Sequence, residues 1–157
     1  MAKQIKAEII ADSKNQHGDR ITTYVLTYPR MIHAELLTHR LFSRNSASSR
    51  AIPAKKMIDL ISEDPFIPIA WQKAHKGMQG TEYWETESTD EKLCIENWLK
   101  AKDYAVKQAI NLAGIGATKQ LVNRILEPFQ WYTVIVTATE YDNFFELRCP
   151  KFETSTS

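Results

Sequence analysis

The sequence has few cysteines and no long apolar run, at its first residues or elsewhere, and each of these shortages bears on the class of protein. Two cysteines without a C-x-x-C pair exclude a disulfide framework and a cysteine-based zinc site. The first residues lack the apolar core of a signal peptide, and no apolar run approaches the roughly 18–20 residues that span a bilayer. We therefore expect a cytoplasmic protein that has no membrane partner.

Neither sign of charge is in excess. Twenty Lys and Arg residues stand against 19 Asp and Glu residues, which gives a formal net charge of +1. Proteins that bind nucleic acid through their overall charge are basic, so we expect no nucleic-acid partner, and any anion site must be local. A chain of 157 residues is long enough to bury the core of one compact domain.

The hydrophobic pattern predicts a single α+β domain over residues 1–150, with a mostly antiparallel sheet packed with helices and a flexible tail at 151–157. Residues 63–92 show no sustained period, so we expect a long, partly ordered segment there, suited to a lid or a subunit contact. The predicted elements are a hairpin of 5–11 and 21–28, helices at 30–42, after Pro53, at 92–113 and at 117–126, a strand at 131–137, and a last helix that begins at a Thr139/Asp142 capping box and ends before Pro150.

The segment from Thr38 to Arg50 carries the strongest chemical signal. It combines guanidinium groups, hydroxyls and an amide, which suit the oxygens of a phosphate. The alternative is structural, with Arg40 and Arg44 offsetting the dipole at the end of a helix. The helix predicted at 30–42 has apolar residues on several sides, so we expect it to be buried against a sheet or another subunit.

Three blocks of the sequence resemble the flavin-dependent thymidylate synthases. The segment 38–50 resembles the family signature R-H-R-x-x-S-x-N-x-x-S-x-R, with Thr38 at the place of the first arginine. The segment 123–128 resembles the family's A-R-x-x-L-P block, and 143–148 resembles its H/N-F-L-x-L-R block. The blocks follow one another in the family's order, and the resemblance covers roughly residues 20–148.

The resemblance implies a role for each matching residue. Arg148 corresponds to the catalytic arginine that favours ionisation at N3 of the uracil ring. The residues implied to bind FAD are Thr38, His39, Arg40, Ser46 and Asn143. Those implied to bind the nucleotide and its phosphate are Glu35, Ser46, Ala47, Ser48, Ser49, Arg50 and Arg124.

The resemblance also implies a reaction, in which dUMP becomes dTMP with methylenetetrahydrofolate as carbon donor, NADPH as reductant and FAD as cofactor. It implies assembly into a homotetramer whose active sites form where subunits meet. We expect no metal, because His33 and His39 lie on different sides of the predicted helix. The family continues beyond its last block, so we expect the remainder to be missing from this chain or supplied by a second one.

Three other hypotheses stay open. Glu35 stands where the family has glutamine, so the substrate could be a related pyrimidine nucleotide such as dCMP, either methylated or hydroxymethylated. A second hypothesis is a non-catalytic nucleotide-binding module that has lost its flavin contacts. A third is a nucleic-acid binder, which the near-neutral charge disfavours.

Overall fold

The computed structural model describes residues 5–77 and 80–148, except for the side chain of Arg148. These residues form four strands and five α-helices, which confirms the predicted α+β class. In chain order the elements are β1 (Lys6–Lys14), β2 (Arg20–Pro29), a 3-10 helix (Arg30–Ile32), α1 (His33–Leu37), β3 (Ser43–Ser46), α2 (Ala54–Glu63), α3 (Thr89–Gly114), α4 (Lys119–Val122), a second 3-10 helix (Asn123–Phe129), β4 (Trp131–Ala138) and α5 (Asp142–Arg148).

The four strands form one sheet in the order β1-β2-β4-β3. The β1 and β2 strands pair in antiparallel register, which confirms the predicted hairpin, and β3 pairs antiparallel with β4. Hydroxyl contacts join Thr23 to Thr137 at 2.9 Å and Thr27 to Thr133 at 3.3 Å. Because the residue numbers on β4 fall as those on β2 rise, β2 and β4 are also antiparallel. The sheet is therefore antiparallel throughout.

Internal contacts divide the chain into two compact units. Among the described residues, the helical unit comprises Pro29–Met31 and Ala47–Trp131, and the sheet unit comprises 5–28, Ile32–Ser46 and 132–148. The single catalytic domain expected over residues 1–150 stays a prediction. None of the described helices combines the length and the apolar character that a bilayer crossing requires.

The helical unit has an aliphatic core. Its buried residues are Met57, Ile61, Ala109, Val122, Leu126 and Phe129. The apolar side predicted for the helix after Pro53 is confirmed, since Met57 and Ile61 are buried there. The long helix is confirmed too, and it begins at Thr89 because the Ser88 Oγ accepts a hydrogen bond from the Glu91 amide at 3.2 Å.

The sheet unit has a more aromatic core. Its buried residues are Tyr28, Leu36, Phe42, Tyr132, Val134, Val136 and Ala138. Alternate residues of β4 point into this core, which explains the β-branched run in the sequence and confirms the strand predicted at 131–137. The core therefore rests on the β4 face that carries Tyr132, Val134 and Val136.

The helix predicted at 30–42 is wrong in its length, while its burial against a sheet or another subunit stays a prediction. It ends at Leu37, because the Thr38 hydroxyl and the Thr38 amide both donate to the carbonyl of Glu35, at 2.7 and 3.2 Å. Only Leu36 of α1 is buried within the chain. The segment after it, predicted as a loop, forms the short strand β3 at Ser43–Ser46.

Two further predictions need correction. The predicted Thr139/Asp142 capping box is wrong, since α5 begins only at Asp142 and the Phe145 amide donates to the carbonyl of Tyr141. The helix predicted at 117–126 is shorter, and its second half is a 3-10 helix that accommodates Pro128. Between Glu63 and Thr89, the described residues form no helix or strand beyond an isolated Gln72–Tyr83 bridge. Pro150 and the tail at 151–157 lie outside the described residues.

Candidate functional site

A cavity in the sheet unit gathers four of the residues implied to bind flavin. Its volume is about 180 Å³, and it opens between the turn after α1 and the start of α5. Thr38, His39 and Arg40 come from that turn, and Asn143 comes from α5. The full lining is Thr38, His39, Arg40, Leu41, Phe42, Glu140, Asn143 and Phe144. Residues more than 100 positions apart in the sequence thus share one lining.

Aromatic rings form the wall of this cavity, which we call the aromatic cavity. The rings of His39 and Phe42 stack at 5.5 Å with an angle of 24°, and Phe144 meets His39 edge to face at 4.9 Å. Phe42 is buried, and Tyr141 packs against it at 5.0 Å. Ring pairs in such arrangements stabilise each other's orientation. Phe42 and Phe144 were missed as site residues, although both lie inside blocks that resemble the family.

Tyr141 anchors the back of this wall. Its hydroxyl donates to the carbonyls of Thr22 and Val136 at 3.0 and 3.3 Å. Burial raises the pKa of the Tyr141 phenol above its ordinary value of 10.0, so the phenol stays protonated as a donor. The side chain thereby ties the aromatic wall to β2 and β4.

A second cavity of the sheet unit, of about 300 Å³, shares His39 and Phe144 with the first. Its lining contains Glu35, the predicted nucleotide contact, and is otherwise mostly apolar. The residues that line it are Ile5, Lys6, Ala7, Leu26, Thr27, Tyr28, Ile32, Glu35, Leu36, His39 and Phe144. Glu35 and Lys6 supply opposite charges to this lining.

The strand β3 carries Ser46, which is implied to contact both flavin and nucleotide. The Ser46 hydroxyl lies 2.7 Å from the hydroxyl of Tyr132, a buried residue of β4. Arg44, on the same strand, donates to the carbonyls of Leu36 and His39 at 3.1 and 3.3 Å. Arg44 therefore has the structural role at a helix end that the sequence analysis gave as the alternative to phosphate binding.

In the helical unit, the segment from Ala47 to Ile52 contains a tight turn that closes between Ser48 and Ala51, and we call this segment the serine turn. The Arg50 amide donates to the Ser48 hydroxyl at 3.2 Å, and the Ala51 amide donates to the Ser48 carbonyl at 3.0 Å. Ser49 is buried, and its hydroxyl donates to a carboxylate oxygen of Glu127 at 3.4 Å. Ala47, Ser48 and Arg50 are exposed, so this turn offers hydroxyl and guanidinium donors at the surface.

The second 3-10 helix lies beneath the serine turn. Asn123 is fully buried, and its amide nitrogen donates to the carbonyls of Ser49 and Ile52 at 2.7 and 2.9 Å. Glu127 also forms an ion pair with Arg30 at 3.7 Å. Arg124, implied to bind the nucleotide, is exposed on this 3-10 helix. Sequence reasoning missed Asn123 and Glu127, although both lie inside the second block of the resemblance.

The structure thus brings the implied site residues together in two groups. Thr38, His39, Arg40 and Asn143 share one cavity of the sheet unit, with Glu35 in the adjoining cavity. Ser46 lies on β3 of the same unit, while Ala47–Arg50 and Arg124 belong to the helical unit. Arg148 ends α5, and its side chain lies outside the described part. No three His, Cys, Asp or Glu side chains within the described ranges are grouped to hold a metal ion.

Comparison with known proteins shows a shared fold. No protein-family model matches the chain, and no curated protein matches its sequence. Among solved structures, it is similar to the UMP/dUMP methylase PolB from Streptomyces cacaoi bound with 5-Br UMP, with a TM-score of 0.67 and 15% identity over 87% of this chain and 72% of that one. The same enzyme bound with 5-Br dUMP gives a TM-score of 0.65 and 12% identity, over 87% and 74%. The chain has the fold of these structures.

Proposed function

We propose that this chain is a flavin-dependent methylase that converts dUMP to dTMP. The observation that carries the proposal is the cavity lined by Thr38, His39, Arg40 and Asn143, in a chain that has the fold of a UMP/dUMP methylase. The three sequence blocks that resemble flavin-dependent thymidylate synthases contribute these residues and the serine turn. Fold, motif and cavity therefore support the same chemistry.

The lining of the aromatic cavity suits one side of a planar isoalloxazine ring. The rings of His39 and Phe144 supply apolar surface, and Asn143 and Arg40 supply donors for ring carbonyl oxygens. Reduced FAD, when bound there, would supply the hydride that converts the transferred carbon to a methyl group, and NADPH would return the oxidised flavin to its reduced form. The residues of this chain hold the ring and exclude water from one side of it.

The serine turn is the proposed phosphate site. The exposed Arg50 guanidinium can donate two parallel hydrogen bonds to phosphate oxygens, and the Ser48 hydroxyl can donate a third. Arg124 adds a second exposed guanidinium. Arg148 is proposed to stabilise negative charge on the uracil ring, which makes C5 nucleophilic. Methylenetetrahydrofolate and NADPH are the proposed co-substrates, and a homotetramer is the proposed assembly.

An absorbance titration with FAD, run with and without dUMP, tests the proposal. We expect saturable flavin uptake and a change in the flavin spectrum on adding dUMP, followed by dTMP formation when both co-substrates are present. Arg50→Ala is expected to abolish the dUMP effect and to leave flavin uptake intact. Lys56→Ala removes another exposed cation of the same unit and is the matched control.

The outcomes separate the hypotheses. Absence of flavin uptake at any concentration would contradict the enzyme, and retained dUMP binding would then indicate a nucleotide-binding module. Binding of oligonucleotides that weakens steeply with salt would instead favour a nucleic-acid binder.

A cytidine nucleotide is the second candidate substrate, and Glu35 favours it. Its carboxylate lines the cavity next to His39 and accepts hydrogen bonds only, whereas an amide can also donate them. The amino group of cytosine is a donor that suits such an acceptor, while the carbonyl of uracil is not. Competition between dUMP and dCMP for the protein and for Glu35→Gln tests this candidate. Preference for dCMP that Glu35→Gln reverses would support it, and an unchanged preference for dUMP would exclude it.

A further inference from the structure

The backbone of the serine turn is held from below by a residue that has no role in the proposed reaction. Asn123 is 0% exposed and is separated by more than 70 positions in sequence from both carbonyls that it binds. Those carbonyls belong to Ser49 and Ile52, which lie on either side of Arg50. One side chain thus fixes the backbone before and after the guanidinium that is proposed to bind phosphate.

Burying this amide has a cost that packing alone does not explain. Its oxygen atom is buried and has no hydrogen-bond partner among the described residues. An apolar side chain of similar volume would fill the same space and remove the unsatisfied oxygen, but it would also take this donor away from the carbonyls of Ser49 and Ile52. The two bonds from its nitrogen are therefore the specific contribution of Asn123, and both go to the serine turn.

Other contacts hold the same segment. The Lys119 ammonium donates to the carbonyl of Ala51 at 3.4 Å. The Glu127 carboxylate accepts from the Ser49 hydroxyl and is itself paired with Arg30. The carbonyls of Ser49, Ala51 and Ile52 are thus all engaged, and the exposed side chains of Ser48 and Arg50 project from a fixed backbone.

We propose that Asn123 is a positioning residue that orders the serine turn for nucleotide binding, an inference that rests on the proposed function. A turn that is ordered before the ligand arrives avoids the entropic cost of ordering it on binding, so its loss weakens affinity without removing any ligand contact. Asn123 acts through Ser49, Ile52 and Arg50 and does not touch the nucleotide itself.

The test compares Asn123→Ala with Asn97→Ala in the full chain. Asn97 is exposed on α3 and also donates to a backbone carbonyl, that of Leu93 at 2.8 Å, so it is a matched asparagine away from the turn. We expect Asn123→Ala to weaken dUMP binding about tenfold at unchanged FAD affinity, since two hydrogen bonds that order the turn are lost. Asn97→Ala is expected to leave both affinities unchanged.

Amide hydrogen exchange provides a readout that needs no ligand. The amide of Ala51, which bonds to the Ser48 carbonyl, is expected to exchange faster in Asn123→Ala, while amides within α3 keep their wild-type rates. Should Asn123→Ala fail to fold, Asn123→Leu retains the buried volume and removes the donors, and the same two measurements apply.

Equal losses of dUMP and FAD affinity would overturn the inference, because they indicate general destabilisation. Unchanged dUMP affinity in a folded variant would overturn it as well. If the wild-type chain binds no dUMP, the proposed function fails. Faster exchange at Ala51 in the variant then still supports the ordering role, and unchanged exchange overturns it.

Discussion

The serine turn of the helical unit and the aromatic cavity of the sheet unit are built by different means. Directional hydrogen bonds hold the turn, from Asn123 to two carbonyls and from Ser49 to Glu127. Ring packing holds the cavity, through contacts of His39 with Phe42 and Phe144. A small oxyanion needs donors at fixed positions, whereas a large planar ring needs a flat apolar surface. Each construction suits the ligand proposed for it.

The difference predicts different sensitivities to mutation. A hydrogen-bonded turn loses its geometry when a single donor atom is removed. A wall of rings acts through area and shape, so substitutions that conserve volume cost it little. Mutations that remove support from one region should therefore leave ligand binding at the other intact.

The largest expected effect concerns the 3-10 helix beneath the serine turn. Leu126 is fully buried in the core of the helical unit, between Asn123 and Glu127 in the sequence. We expect Leu126→Ala to lower the free energy of unfolding by about 2–5 kcal/mol, because a cavity is left where the side chain packed. Urea denaturation followed by circular dichroism measures this loss.

The neighbouring residue offers the control. Ile125 is 36% exposed on the same 3-10 helix, so Ile125→Ala is expected to cost less than Leu126→Ala. Equal losses of unfolding free energy in the two variants would show that the buried face of this helix does not determine the stability of the protein.

The next effect concerns the aromatic wall. We expect Phe144→Ala to weaken FAD binding by about tenfold, because it removes one ring of the wall, and Phe144→Leu to weaken it by clearly less, because most of the volume remains. Flavin fluorescence titration measures both affinities. Tyr104 is 66% exposed on α3 and does not line the cavity, so Tyr104→Ala should bind FAD as the wild type does. If the leucine and alanine variants lose affinity equally, Phe144 makes a specific ring contact and the wall does not act by area.

The sequence predicts most elements that have a strong period, because local pattern determines them. The hairpin, α2, α3 and β4 form where alternation or helical spacing is clear. The start of α3 at Thr89 could also have been predicted, from the S-x-x-E spacing of Ser88 and Glu91. Four residues of the aromatic cavity, Thr38, His39, Arg40 and Asn143, were identified by their motif. The sequence contains no local signal that His39 and Asn143 share one lining.

The parts that were missed depend on contacts between distant residues. The strand β3 exists because Ser43–Ser46 pairs with β4, and the polar sequence of this segment gives no strand signal. The bonds from Asn123 to the serine turn likewise become visible only when the chain is folded. The length of α1 was predicted wrongly for a local reason. The prediction followed the apolar pattern and gave too little weight to the tendency of a threonine hydroxyl to bind a preceding carbonyl.

The smallest expected effect concerns a directional contact in the sheet unit that lies on the hairpin. Hydrogen bonds from the Arg20 guanidinium, which have the largest effect, and from the Thr22 hydroxyl lower the pKa of the Asp12 carboxyl from 3.8 to about 2. The carboxylate is thus favoured in the folded state, so its stabilising contribution is present above the unfolded pKa and is lost as the pH falls through about 2. Because this pair is exposed, the contribution is small.

Carbon NMR of the Asp12 carboxyl measures this titration directly. We expect a midpoint near pH 2 in the wild type, and a midpoint shifted towards 3.8 in Arg20→Gln, with part of the depression retained through Thr22. Asp12→Asn should remove this contribution to the pH dependence of the melting temperature without changing FAD or dUMP binding, because Asp12 belongs to neither the aromatic cavity nor the serine turn. A wild-type midpoint at 3.8 would mean that the Asp12–Arg20 contact does not persist in solution. A loss of FAD affinity in Asp12→Asn would show instead that the cavity depends on directional contacts at the hairpin as well as on its rings.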